Sequence, residues 1–329
     1  MADPTDHRAE NQAANPGVDK QVLLANPRGF CAGVDRAIEI VKRALELYGA
    51  PVYVLHEIVH NTHVLMDLRS RGTVFVRSLE EVPPGSVTIY SAHGVSDEVV
   101  AQGKARQLKV IDATCPLVTK VHLQAVNYAG QDREVILIGH EGHPEVEGTR
   151  GRVRGTVHVI STPEEVARLE VKDPAKLAYV TQTTLSVDDT RQCVEALEAR
   201  FPLIQGPNLK DICYATQNRQ NAVKDLLPQV DFLLVVGSAN SSNSNRLREL
   251  GERGGVPAYL VDHPDQIEPA WLAGHSRIGV TAGASAPEAL VDRILSRLEE
   301  LGVAKTRENE GQKETVVFQM PREMEAYLP

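Results

Sequence analysis

The chain of 329 residues repeats one order of elements three times, and each repeat begins at a cysteine. Cys31 lies in VLLANPRGFCAGVDRAIEIV, Cys115 in KVIDATCPLVTKVHLQAV and Cys213 in NLKDICYATQNRQNAVKDL, each where a strand or loop hands over to a helical pattern. The spacings of 84 and 98 residues are too wide for a zinc ribbon or a CxxC redox pair. A polar loop follows a strand 29, 28 and 28 residues after these cysteines: HEIVHN with His60, GHEGHPE with His143 and GSANSSNSN with Ser241. A second polar loop follows after 62, 68 and 72 residues: SAHG with His93, TQTT with Thr183 and TAGAS with Ser285. A weaker strand stands between the two loops in each third (FVR, HVIS, YLVD). A unit of about 90 residues has the size of a small domain.

Short apolar runs alternate with helix-period segments throughout. The runs are VLLA at 22–25, VYVL at 52–55, VTIY at 87–90, VILI at 135–138, LAYV at 177–180, FLLVV at 232–236 and IGVT at 278–281. Between them lie VDRAIEIVKRALELY, VDDTRQCVEALEARF and PEALVDRILSRLEEL, apolar on one face at helical spacing. Strand and helix in alternation predict an α/β fold with parallel sheets. The threefold pattern favours three similar small α/β domains with mostly parallel sheets, in pseudo-threefold arrangement around a central cleft, over one long sheet. The expected divisions are a disordered N-terminal extension over 1–19, α/β domains over 20–112, 113–208 and 209–301, and a C-terminal arm over 302–329. The extension holds almost nothing to bury. The arm carries one β-like stretch, TVVFQM, and is expected to lie across another domain's surface.

Composition removes several function classes. No run of about 18 apolar residues suggests a membrane span. The polar N-terminus lacks the apolar region of a secretory signal. Four cysteines in so long a chain argue for a reducing cytoplasm and against a disulfide framework. A net charge of −9 argues against nonspecific nucleic-acid binding. Neither a Walker A sequence nor a GxGxxG fingerprint is present, so a nucleotide is not favoured.

Ligands of open parallel sheets bind at the carboxyl ends of the strands, where loops enter helix N-termini. Three domains facing one axis would bring six loops and three cysteines to one cavity. His60, His93, His143, Thr183, Ser241, Ser242, Asn243 and Ser285 can all donate hydrogen bonds there, and Gly94, Gly142, Gly237 and Gly283 permit close backbone approach. With helix N-termini added, such a ring suits a phosphate or diphosphate. Three thiolates suit iron–sulfur or zinc. Cubane clusters normally take four cysteines, so three would leave one iron open. A zinc site of three cysteines and one histidine would be closed, and its ligands usually arrive in local pairs, so the wide spacing favours a cluster.

Plainer readings stand beside these. A lone buried cysteine is usually a small core residue, and Cys193, inside a helical pattern, is read as one. His7, His158, His263 and His275 occupy no matched positions. The SSNSN segment also fits a solvated turn or an N-cap ahead of NRLRELGER. Two other function classes remain open: a zinc-dependent hydrolase or lyase of a phosphorylated substrate, and a noncatalytic phosphate-binding module with core cysteines.

The segments LLANPRGFCAGVDRAIEIV, SAHGVS, DATCPLVTKVH, IGHEGHPEVEGT, TQTTLSVDDT, DICYATQNRQ, VVGSANSSNSNRL and VTAGASAPE together resemble the 4-hydroxy-3-methylbut-2-enyl diphosphate reductase, or LytB, family, from about Val22 to Phe318. The resemblance implies the last step of the methylerythritol phosphate route to isoprenoids, giving isopentenyl and dimethylallyl diphosphate. It implies that Cys31, Cys115 and Cys213 hold a [4Fe-4S] cluster, seen as [3Fe-4S] after oxidation, with the substrate hydroxyl at its open iron. His60, His93, His143, Ser241, Ser242, Asn243 and Ser285 would form the diphosphate pocket. Glu145 would be the proton-delivering acid, with Thr183 near the hydroxyl-bearing carbon and His143 sharing the relay. The implied partners are a small allylic diphosphate and, as electron donor, reduced ferredoxin or flavodoxin.

Overall fold

The computed structural model describes residues 20–321 and Met324; the segment 1–19, expected to be an unstructured extension, lies outside them. Twelve strands among the described residues form three sheets, and every strand pair in them is parallel. They are β1 (Lys20–Leu24), β2 (Val52–Leu55), β3 (Thr73–Val76), β4 (Val87–Tyr90), β5 (Lys109–Asp112), β6 (Glu134–Ile138), β7 (Val157–Ile160), β8 (Leu177–Thr181), β9 (Phe232–Val236), β10 (Ala258–Val261), β11 (Arg277–Ala282) and β12 (Val303–Glu308). The sheet orders are β3-β2-β4-β5, β7-β6-β8 and β10-β9-β11-β1-β12.

The strands are apolar end to end because helices cover both faces of each sheet. Alternation then divides each strand between two cores. Phe232, Leu234 and Val236 of β9 enter one, and Leu233 and Val235 the other. Val135 and Leu137 of β6 part from Ile136 and Ile138 in the same way. The helix Ala32–Tyr48 buries Val34, Ala37, Ile38, Val41 and Ala44 on the stripe that its period predicts, and ends at Gly49 with φ 72°.

The three sheets share a core of three strands in the same order: the weaker strand, then the strands leading to the first and second polar loops. What pairs beside that core explains the cysteines. β5, which leads to Cys115, pairs with β4 of the first sheet. β1, which leads to Cys31, pairs with β11 of the third sheet. The segment leading to Cys213 touches the second sheet through a parallel bridge between Ala178 and Gln205. Each cysteine therefore ends a segment belonging to one unit and begins the helix of the next.

The sheets divide the chain differently from the expected boundaries at the ends. Residues 20–24, placed in the first domain by sequence order, lie in the third sheet, since β11 leaves an open edge that β1 fills between itself and β12. The C-terminal segment contributes β12 at residues 303–308, where the alternation is polar and was not read as a strand, while TVVFQM is not a strand. Beyond β12 the chain leaves the third unit, binds Arg36 through the Gln319 carbonyl, and packs Met320 and Met324 against the first unit's core.

Candidate active site

One cavity is lined by Cys31, Cys115 and Cys213, by His60, His93, His143, Glu145 and Thr183, and by Ser241, Ser242, Asn243 and Ser285. Every site residue expected from the sequence is thus in one place. All three cysteines are N-caps, of the helices Ala32–Tyr48, Pro116–Gly130 and Tyr214–Leu226. The first-turn amides therefore face each sulfur. At Cys213 the approach is a hydrogen bond from Thr216 N at 3.4 Å. At Cys31 the amides of Gly33 and Val34, and at Cys115 those of Leu117 and Val118, lie beyond capping distance yet favour the thiolate. Burial opposes ionisation more strongly. It raises Cys31 and pushes Cys115 to about 12 and Cys213 to about 11, helped by the sulfurs' mutual repulsion at Cys115 and by Cys31 at Cys213.

These residues suit an iron–sulfur cluster. Three thiols that oppose one another's ionisation become stable thiolates only when a cationic centre binds them. Gly33 keeps space for the sulfurs: a Cβ there would stand 2.7 Å from Cys115 Sγ and 3.9 Å from Cys31 Sγ. Among the described residues no three His, Cys, Asp or Glu side chains close on a point as a single ion requires. The thiols border a space instead.

Across the cavity stand three imidazoles in mutual contact. His60 stacks on His93 with centroids 4.2 Å apart, and His143 meets both edge-on at 5.5 and 5.8 Å. Burial lowers His93 well below the ordinary imidazole value and His143 to about 4, with neighbouring histidines adding to both. His143 Nδ1 accepts the Glu145 amide at 3.1 Å, which leaves Nε2 as its N–H. His60 donates through Nδ1 to Glu57 at 2.9 Å, while its Nε2 is buried with no partner. An anion entering here would supply the countercharge that the ring cluster lacks.

The third unit closes this wall. Ser241 caps the helix Ser242–Arg253 and lies 3.5 Å from Ser285 Oγ, which donates to the His60 carbonyl at 2.8 Å. Asn243 accepts the Ala284 amide at 2.8 Å, and Ser242 donates to the Thr184 carbonyl at 3.3 Å. Gly237 and Gly283, expected to let a ligand approach, instead make room for this helix. A Cβ at either would stand 2.2 or 2.0 Å from Ser244 Oγ.

Glu145 is buried beside Thr183. Its carboxylate oxygens accept the Thr183 amide at 2.6 Å and hydroxyl at 3.0 Å. Burial raises it to about 7, against the lowering by those two bonds. The Thr183 carbonyl accepts the Cys213 amide at 3.0 Å, so acid, threonine and sulfur loop are joined in sequence. Sequence reasoning missed Thr216, Thr184 and Gly33. Thr216 was findable, being three residues after a cysteine at a helix start, the position whose amide a cap receives.

The LytB protein family model matches residues 22–299. A protein of Ralstonia nicotianae named 4-hydroxy-3-methylbut-2-enyl diphosphate reductase is 59% identical over 315 residues, covering 95% of this chain and 97% of its own. One of Aromatoleum aromaticum with the same name is 60% identical over 307 residues, covering 93% and 98%. The solved reductase of Plasmodium falciparum superposes with a TM-score of 0.90 at 37% identity, covering 93% of this chain and 97% of that one. With its three parallel sheets, one shared cavity and these matches along nearly its whole length, the chain belongs to the LytB family of 4-hydroxy-3-methylbut-2-enyl diphosphate reductases.

Proposed function

We propose that the chain carries out the reductive dehydroxylation of (E)-4-hydroxy-3-methylbut-2-enyl diphosphate to isopentenyl and dimethylallyl diphosphate, the last step of the methylerythritol phosphate route. The observation that carries this reading is the meeting of three N-cap thiols, three low-pKa imidazoles and one buried acid in a single cavity. A [4Fe-4S] cluster on Cys31, Cys115 and Cys213 would supply electrons singly and a Lewis-acidic iron free of protein ligand, and would become [3Fe-4S] on oxidation.

The remaining chemistry belongs to side chains. His60, His93, His143, Ser241, Ser242, Asn243 and Ser285 hold the diphosphate, and so fix the hydroxyl-bearing end opposite. Thr183 orients that end and holds Glu145 in place. Glu145, protonated up to about pH 7, gives its proton to the departing hydroxyl, which leaves as water. Two electrons and two protons balance the reaction, and the second proton, added at either end of the allylic carbons, decides between the two alkenes. His143 Nε2–H stands in the same cavity and shares in proton delivery. Reduced ferredoxin or flavodoxin supplies the electrons, and the four free thiols suit a cytoplasmic location.

Anaerobic purification tests this directly. Iron and inorganic sulfide near four each per chain, with reduction of the hydroxymethylbutenyl diphosphate by a strong chemical reductant, is the expected result. Stoichiometric zinc, or protein that lacks iron and does not turn over after reconstitution, would overturn it. Cys115→Ser should lose iron in the same assay, and unchanged iron content would remove that residue from the ligand set.

A further inference from the structure

The cysteine helices carry a second repeated feature that the reaction does not use. Five residues after Cys31, Arg36 donates through Nη1 to the Thr114 carbonyl at 3.1 Å and the Ala113 carbonyl at 3.4 Å, the two residues before Cys115. Five residues after Cys115, Lys120 donates to the Lys210 carbonyl at 2.9 Å and the Asp211 carboxylate at 3.3 Å, just before Cys213. Six residues after Cys213, Arg219 donates to the Gly29 carbonyl at 2.9 and 2.7 Å and to Phe30 at 3.0 Å, the two residues before Cys31. The series closes on itself. Each cation lies about a turn and a half along its helix and reaches the approach to the next cysteine in cyclic order.

We propose that Arg36, Lys120 and Arg219 are positioning residues that form a closed ring of latches, each fixing the ligand loop of one cluster cysteine from the helix capped by another. Every unit then controls two sulfurs: one at the N-cap of its helix, the other through its cation. Carbonyls satisfied by a charged donor resist displacement more than carbonyls left to water. The ring also places three positive charges behind the ligand set, which favours added negative charge at the site. The latches differ in burial. Arg219 is fully buried and paired with Glu314, whereas the Lys120 side chain is 47% exposed and its partner Asp211 is buried. The C-terminal segment engages two of the three, through Glu314 at Arg219 and the Gln319 carbonyl at Arg36.

The proposal rests on the three-cysteine cluster reading, and the test separates the two. Holoprotein carrying Arg36→Gln, Lys120→Gln or Arg36→Lys is compared with the parent for iron loss to an anaerobic chelator, cluster midpoint potential and thermal unfolding. Arg43→Gln, on the same helix as Arg36 but paired with Glu39, is the control. Parent protein without iron and sulfide would sink the cluster reading itself. With a loaded parent, the latch ring predicts iron loss at least fivefold faster in both Gln variants, a lower potential, and recovery to within twofold in Arg36→Lys. Arg219→Gln is left aside because removing a fully buried cation would strand Glu314. Parent-like loss and potential in both Gln variants would overturn the proposal. So would faster loss that Arg36→Lys shares in full, or that appears equally in Arg43→Gln, because either would mark a general loosening of the fold.

Discussion

The two walls of the cavity contain titratable groups that burial moves in opposite directions. On the histidine wall, burial strips the proton: His143 falls to about 4, and His93 is lowered further below its ordinary value. On the Glu145 wall, burial keeps the proton on, up to about pH 7. The cause is the same, since a low-polarity site penalises whichever form is charged. The outcome is a cavity whose acid and bases are both close to uncharged near neutrality. It can then be charged by the ligand: a diphosphate can draw protons onto imidazoles, while the acid stays loaded for the departing hydroxyl.

The difference in role between the walls can be broken by kinetics. Glu145→Gln keeps the shape and the bond from the Thr183 hydroxyl but has no acidic proton, so kcat should fall by on the order of 10²-fold or more with KM little changed. A raised KM with normal kcat would move Glu145 to the anchoring wall. His93→Gln should do the reverse, raising KM about tenfold with a smaller loss in kcat, because it removes an interaction made before and during reaction alike. The pH profile sharpens the same point. kcat/KM should fall as pH rises above about 7, where Glu145 loses its proton in the free protein, and Glu145→Gln should lack that limb.

The smallest effect is on stability, and it has opposite signs on the two walls. His143 binds a proton more weakly in the folded chain than in the unfolded chain, so its contribution to stability rises with pH between about 4 and 6.5. Glu145 binds its proton more tightly when folded, so its contribution falls between 4.5 and about 7. The slopes oppose one another across the shared window. Unfolding of the Glu145→Gln protein, followed from pH 4.5 to 6.5, should show a steeper gain with pH than the parent, and an unchanged slope would mean Glu145 is not titrating where its burial puts it.

Much of this was legible before the fold, for physical reasons. The pocket residues sit at strand carboxyl ends, and a parallel sheet delivers those ends to one side, so spacing from the cysteines was enough to find His60, His143 and Ser241. Glu145 entered only through the family resemblance, since nothing in its local pattern distinguishes it from any carboxylate in a first helical turn. β1 was read correctly as a strand but placed by sequence order, because pairing with β11 is set by an open edge more than 250 residues away. β12 escaped because VAKTRE is exposed after its first residue and shows no apolar alternation. The latch cations were visible as Arg36, Lys120 and Arg219, yet their partners are backbone carbonyls of distant segments, and a sequence does not display the reach of a carbonyl.

The place of β1 also sets a timetable. Its partners β11 and β12 are among the last parts of the chain to be synthesised, and Arg219 and Glu314, which secure the turn before Cys31, come late as well. The first two units can complete their sheets while the ribosome is still at work, but the Cys31 loop has nothing to hold it until the third unit and the start of the C-terminal segment have emerged. Such long-range pairing is slow to form. Iron delivery to this protein is therefore a step of maturation that follows translation, and a chain shortened before Glu314 should emerge folded in its first two units but unable to keep a cluster.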